Sequence, residues 1–253
     1  MSAPVITVSD LVAGYDESTV LDGISFEVRQ GEVFVVMGGS GCGKSTLLRH
    51  LLGLCKPLSG RIEVFGTDIT VLREDALQPI RERIGMVFQG AALFNSMTIA
   101  ENISLPLEEY TDYPSRVIQD IVDYKLSLVE LGHARDYLPA QLSGGMKKRA
   151  AIARAMVMDP ELLFFDEHTT GLDPVMSAEL DRTILRLRNQ LKITVVVVTH
   201  DMTSIRRIAD RGIMIVDGRI AASGSIREME QSGDARVVSF FMRHEKHAAH
   251  TPR

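Results

Sequence analysis

The chain has 253 residues, 45% hydrophobic and 24% charged, which allows one large or two small domains with a substantial core. Its formal net charge of -5 argues against binding nucleic acid or anionic lipid through overall charge. Two cysteines, Cys42 and Cys55, make no disulfide framework and lack metal-ligand spacing, which points to a reducing, intracellular compartment; no window reaches the ~18 apolar residues that span a bilayer, and "MSAPVITVSD" carries no signal-peptide pattern.

From the N-terminus, "ITVSDLVAGY", "ISFEVRQG" and "GRIEVFGTDI" alternate in polarity and are punctuated by glycine, the pattern of a small antiparallel sheet. Between them, "GEVFVVMGG" reads as a buried strand and "GKSTLLRHLLGL" as the helix that follows it. From about Ala91 to Met158 the pattern changes. "SRVIQDIVDYKLSLVELG" and "GGMKKRAAIARAMVM" carry helical periodicity without a convincing strand, so this stretch is expected to be a helical insertion. "ELLFFDE" and "KITVVVVTH" are β-rich and do not alternate, as buried strands of a parallel sheet do. Strands alternating with helices predict an α/β protein. After Asp234 the tail "ARVVSFFMRHEKHAAHTPR" turns basic and His-rich and is expected to fray. Its "VVSFF" suits either a partner subunit or a hydrophobic patch of its own chain, and His244, His247 and His250 are more simply a frayed tail than a metal site.

"GGSGCGKS", from Gly38 to Ser45, matches the pattern G-x-x-x-x-G-K-[ST], with a predicted strand before it and a helix after it. Gly38, Gly39, Gly41 and Gly43 let the backbone curl around Ser40 and Cys42, so that successive N–H groups point at phosphate oxygens. The positive end of the following helix adds to that attraction. Lys44 is expected to reach the β- and γ-phosphates, Ser45 to offer its hydroxyl to Mg2+, and Thr46 to make a further phosphate contact.

This loop gives a reason for the acids that end "ELLFFDE". A buried strand running into Asp166 and Glu167 either emerges into water at its end or meets something cationic, and the phosphate loop favours the second. Asp166 is expected to serve Mg2+, and Glu167 to orient or deprotonate an attacking water. His200 closes another predicted strand, and ligands of such sheets gather at the carboxyl ends of strands. A histidine there can hydrogen-bond the γ-phosphate or the water.

"LSGGM", Leu142 to Met146, opens a helix that Ser143 can cap. It resembles the signature motif of ABC-transporter ATPases, and the resemblance extends over residues 5 to about 230. By that resemblance Tyr15 is the adenine-stacking aromatic, Gln89 in "MVFQG" the Q-loop glutamine and a further Mg2+ ligand, Asp173 the end of the D-loop "TGLD", and His200 the switch histidine. The family implies a RecA-like P-loop core with an N-terminal antiparallel β subdomain (1–90 and 159–234), an inserted α-helical subdomain (91–158) and a C-terminal tail (235–253). It implies that the chain hydrolyses ATP as a dimer with a second copy of itself, Ser143, Gly144 and Gly145 contacting the nucleotide held by the partner's P-loop. A narrower resemblance lies in "GAALFNSMTIAENISLPLEEYT" and in the methionine of "LSGGM". Both are similar to the ATPase subunits of Mla/Mce-type lipid transporters. That group implies a peripheral motor on the cytoplasmic face of the inner membrane, with transmembrane permease subunits and with lipid-binding Mce-type and small regulatory subunits as further partners, and no nucleic acid. The alternatives are an ABC ATPase that remodels an envelope or cell-division complex and one that powers DNA repair or translation.

The chain departs from the family pattern after Glu167, where His168, Thr169 and Thr170 replace a proline and a small residue. His168 is expected to be a surface substitution. "KKR" at 147–149 is expected to be a solvated helix face.

Overall fold

The computed structural model describes residues 4–15 and 18–248, with side-chain environments as far as Met242. In chain order the elements are β1 (Pro4–Tyr15), β2 (Ser18–Arg29), β3 (Val33–Gly38), α1 (Lys44–Leu51), β4 (Ser59–Val64), β5 (Thr67–Asp68), α2 (Glu74–Arg81) and β6 (Ile84–Val87). There follow α3 (Ile99–Tyr110), α4 (Ser115–Leu128), α5 (Gly144–Ala155), β7 (Leu162–Asp166), α6 (Pro174–Leu191) and β8 (Thr194–Val198). The chain ends in α7 (Met202–Ile208), β9 (Arg211–Val216), β10 (Arg219–Gly224), α8 (Ile226–Glu230) and α9 (Ala235–Ala248). It divides into two compact units, Met1–Arg81 with Thr194–Arg253, and Glu82–Ile193.

The first unit contains the expected antiparallel sheet, in the order β2-β1-β4-β5. Alternation sets its register. Ile6 pairs with Val28 and Val64, and Val8 with Phe26 and Ile62, so one face is apolar throughout. A second set of strands runs β10-β9-β3-β8. Every residue of β3 is buried, because parallel neighbours flank it on both edges: Val36 pairs with Val198 of β8 and with Ile213 of β9. A strand covered on both faces needs no polar alternation, and "VFVVMG" has none. Helix α1 turns Leu47, Leu48 and Leu51 inward.

The tail differs from expectation. Residues Ala235–Ala248 form a helix, packed against α8 and β10 with Val237 and Phe241 buried. "VVSFF" therefore covers a hydrophobic patch of its own chain, because burying these two side chains outweighs the cost of ordering the segment. The side chains of His244 and His247, and all of His250, lie outside the described residues.

In the second unit β6 and β7 pair in parallel, from Ile84↔Leu162 to Val87↔Phe165, and three long helices, α3, α4 and α6, pack against α5. The buried face of α5 is made of small side chains, Ala150, Ala151 and Ala153 with Ile152, which lets other backbones come close. One such approach is to β6, where a Cβ on Gly85 would lie 2.3 Å from the Ala155 carbonyl oxygen and 2.4 Å from Leu163 Cδ2. Backbone cannot rotate away as a side chain can. Gly85→Ala should therefore destabilise the protein by about 2 kcal/mol, the usual scale of overpacking, and lower Tm by roughly 4–8 °C. An unchanged melting curve for this variant would refute the close packing. Among the described residues no helix is long and apolar enough to cross a membrane.

Candidate active site

The candidate residues fall into two sets, one in each unit. In the first unit β3 delivers the loop from Gly38 to Gly43 directly onto α1. Two of its glycines are required by contact. A Cβ on Gly38 would lie 2.4 Å from the Ile215 carbonyl oxygen, and one on Gly43 would lie 2.5 Å from Leu21 Cδ2. Both also have positive φ, 151° and 107°, which side chains disfavour. Gly39 and Gly41, by contrast, have no atom within 4 Å of a Cβ position, so the loop is open at these residues.

Lys44 is buried, and its Nζ donates to the carbonyls of Gly38 at 3.0 Å and Gly39 at 2.9 Å. The loop is thus wound around an ammonium whose hydrogen bonds go to neutral oxygens. The N-cap of α1, Gly43, supplies no side-chain cap, so the amides of the first turn are left for an incoming acceptor. A curled backbone, an uncapped helix start and a buried cation together fit a polyphosphate. Ser40 and Ser45 are exposed, Thr46 is buried, and Cys42 is half-buried, its thiol pushed up by burial and drawn partly back by Lys44. Cys42 and Cys55 are both free thiols.

His200 follows β8 at the end of the sheet where the loop begins. Val198 is the register partner of Val36, the Thr199 amide donates to the Val36 carbonyl at 3.2 Å, and His200 is exposed one residue later. Asp201 caps α7 through the amides of Thr203 and Ser204, which fixes the turn beside the histidine. Tyr15 is 42% exposed, and its hydroxyl accepts from Arg49 at 3.0 Å, leaving a ring face for stacking.

In the second unit the β6–β7 register puts Gln89 and Glu167 at one strand end, each two residues beyond the Val87↔Phe165 pair. Asp166 and Glu167 are half-buried after four buried apolar residues. Glu167 adopts a left-handed backbone, φ 49°. Its carbonyl accepts from the Thr170 amide at 3.2 Å, and its Oε2 accepts from the Thr170 hydroxyl at 3.3 Å. A tight turn and a threonine thus orient this acid where the family pattern has a proline.

His168 is not a surface substitution. It is fully buried, with Nε2 2.9 Å from Oδ1 of Asp181, itself fully buried on α6, and with the Phe165 ring edge-on at 5.8 Å. A polar side chain enters a core when a partner waits there, and that partner lies thirteen residues further along the chain.

Ser143 caps α5 as expected, accepting from the Met146 amide at 3.2 Å, and Ser143 and Gly144 are exposed. Gly145 is buried, and a Cβ there would meet Met176 Cε at 2.1 Å. Asp173 is the N-cap of α6, accepting from the amides of Val175 and Met176. The "KKR" segment differs from expectation: Lys148 is only 6% exposed, and its Nζ donates to the Gln89 carbonyl. Burial pushes the ammonium below the ordinary lysine range, while the negative charges of Asp166 and Glu167 pull it back up. Periodicity alone gives no sign of this, because Gln89 lies fifty-nine residues away in the chain.

A chain with a phosphate loop, a pair of strand-end acids and a capped glycine pair can be compared with known proteins. The family described as ABC transporter matches residues 21–170. The chain belongs to the ABC transporter family. Its relatives include the intermembrane phospholipid transport system ATP-binding protein MlaF of Haemophilus influenzae, 38% identical over 240 residues, which are 95% of this chain and 91% of that protein. The methionine import ATP-binding protein MetN of Brucella abortus is 41% identical over 225 residues, 89% of this chain but 61% of MetN. Among solved structures, the dimeric post-hydrolysis state of the ATP-binding cassette MJ0796 bound to ADP and Pi superposes with a TM-score of 0.79 at 30% identity, covering 88% of this chain and 99% of that one. The protein is thus an ABC-transporter ATP-binding subunit with the RecA-like α/β fold expected from its motifs. It binds ATP and hydrolyses it to ADP and phosphate.

Proposed function

We propose that this ABC ATPase powers the movement of phospholipids or related lipids across the cell envelope through a separate transmembrane permease. The observation that carries this reading is the match to MlaF, which takes in 95% of this chain and 91% of the relative. The MetN match is slightly higher in identity but leaves more than a third of that protein uncovered. It favours a second reading, import of a small solute.

In the proposed cycle Lys44 and the loop amides from Gly38 to Thr46 hold the phosphates, and Tyr15 stacks on the adenine. Ser45, Gln89 and Asp166 are the residues that would hold Mg2+; one carboxylate with neutral oxygens suits an ion shared with phosphate better than an all-protein metal cage. When bound, Mg2+ neutralises charge on the phosphates. Glu167 takes the proton of the attacking water, and His200 positions the γ-phosphate. A second copy of the chain supplies Ser143, Gly144 and Gly145 to the nucleotide, and the dimeric form of the MJ0796 cassette supports that arrangement. The helical subdomain over 91–158 and the Q-loop region around Gln89 receive the permease, with Phe88 and Phe94, 46% and 51% exposed, as the apolar contacts. The motor then sits peripherally on the cytoplasmic face of the inner membrane, with Mce-type and small regulatory subunits in the full complex.

Detergent solubilisation and affinity purification of the tagged chain, followed by mass analysis of bound proteins and lipids, tests the reading. Recovery of a multi-span permease with phospholipid is the expected result. A permease with a solute-binding protein and no lipid would favour the second reading, and a division or wall-hydrolase assembly would overturn both.

A further inference from the structure

The signature helix is joined to the Q-loop by side chains that no motif includes. Helix α5 sends Lys148 to the Gln89 carbonyl and, two turns on, Arg154 to the carbonyls of Ala92 at 2.8 Å and Ala91 at 3.2 Å. The Arg154 guanidinium also lies 6.0 Å from the centre of the Phe94 ring. From α3, the fully buried Asn102 bonds the backbone of Phe94, Met97 and Thr98. The backbone between Gln89 and Thr98 is therefore held at residues 89, 91, 92, 94, 97 and 98, and Ala91 and Ala92 are bent into left-handed conformations, φ 61° and 50°. Within this frame Lys148 is the one anchor that also feels the acids at the end of β7. Burying an ammonium is unfavourable unless oxygens and negative charge compensate it. Here one carbonyl of the Q-loop and the field of Asp166 and Glu167 do so.

We propose that Lys148 is a positioning residue for ATP hydrolysis: from the fifth helical residue after the Ser143 cap, its ammonium fixes Gln89 relative to Asp166 and Glu167. The hydrogen bond holds the Q-loop backbone, and the charge lowers the repulsion between two adjacent carboxylates. A displacement at the start of α5 is thereby transmitted to the glutamine and the acids together. This inference rests on the reading of Glu167 as general base and of Gln89 as part of the same centre.

The test compares Lys148→Met, Lys148→Gln and Lys148→Arg in the full-length subunit, with Glu167→Gln as reference, reading kcat, KM for ATP and Tm. In Lys148→Met, kcat should fall roughly 10²-fold, the scale of a misplaced catalytic group. KM should stay within about threefold of wild type, as expected when ATP binding itself is not the function lost. Lys148→Arg, which keeps both charge and donor, should recover most of the rate, and Lys148→Gln, which keeps a donor without charge, should recover little. Wild-type kcat in Lys148→Gln or Lys148→Met, or an Arg variant as slow as the Met variant, overturns the proposal. If Lys148→Met does not fold, the Arg and Gln variants alone decide it by the same criteria. Slow Glu167→Gln with unaffected Lys148 variants removes only the role of Lys148, whereas fast turnover in Glu167→Gln removes the underlying reading of the site.

Discussion

Glu167→Gln is expected to slow ATP hydrolysis by roughly 10²–10⁴, the usual worth of a positioned general base, while ATP continues to bind. The substitution keeps the shape of the side chain and an oxygen to accept from the Thr170 hydroxyl, so the turn around residue 167 should persist. It removes the negative charge and with it the capacity to take a proton. A single-turnover measurement of phosphate release, beside an equilibrium titration with ATP, separates the two properties. Wild-type turnover under conditions where chemistry limits the rate would show that another group, or water itself, accepts the proton. Loss of ATP binding would instead show that the acid shapes the nucleotide pocket.

Lys44→Ala should have the opposite signature. Its ammonium makes charge-assisted hydrogen bonds, worth about 1.5–3 kcal/mol each, so losing one to a phosphate should weaken ATP binding by roughly 10- to 10²-fold. The loop amides and the start of α1 remain, which keeps the loss finite. The same ammonium holds the Gly38 and Gly39 carbonyls, and the variant should melt slightly earlier even without ATP. The decisive readout is the rise in Tm with added ATP, which follows ligand concentration relative to Kd. A variant stabilised by ATP as strongly as wild type would rule out Lys44 as a phosphate ligand.

What could be read from the sequence was set by how local the physics is. The phosphate loop was legible because its glycines, lysine and flanking elements lie within some twenty residues, and the structure shows Gly38 and Gly43 held by contact and conformation. Strands β3, β7 and β8 announced themselves as unbroken apolar runs, and the antiparallel sheet by its alternation. Strand β6 has four residues and sits between polar segments, too short for any period to appear. The β9–β10 hairpin was missed although it carries a signal: Asp217-Gly218, both with positive φ, is the favoured two-residue turn. Lys148 and His168 were beyond reach for another reason. A charged or titratable residue in an isolated segment looks solvated, and only a distant partner makes its burial affordable. Those partners, the Gln89 carbonyl and Asp181, come from β6's far end and from the middle of α6.

The left-handed backbone at Glu167 bears on any attempt to engineer this protein for robustness. A residue with a Cβ in that conformation costs about 1–2 kcal/mol, which glycine avoids and asparagine partly escapes. A screen for heat resistance alone would thus reward replacement of Glu167, and on the role proposed for that acid the survivors would be sturdy but inert motors. Thermostable libraries of this chain should be built with position 167 held constant.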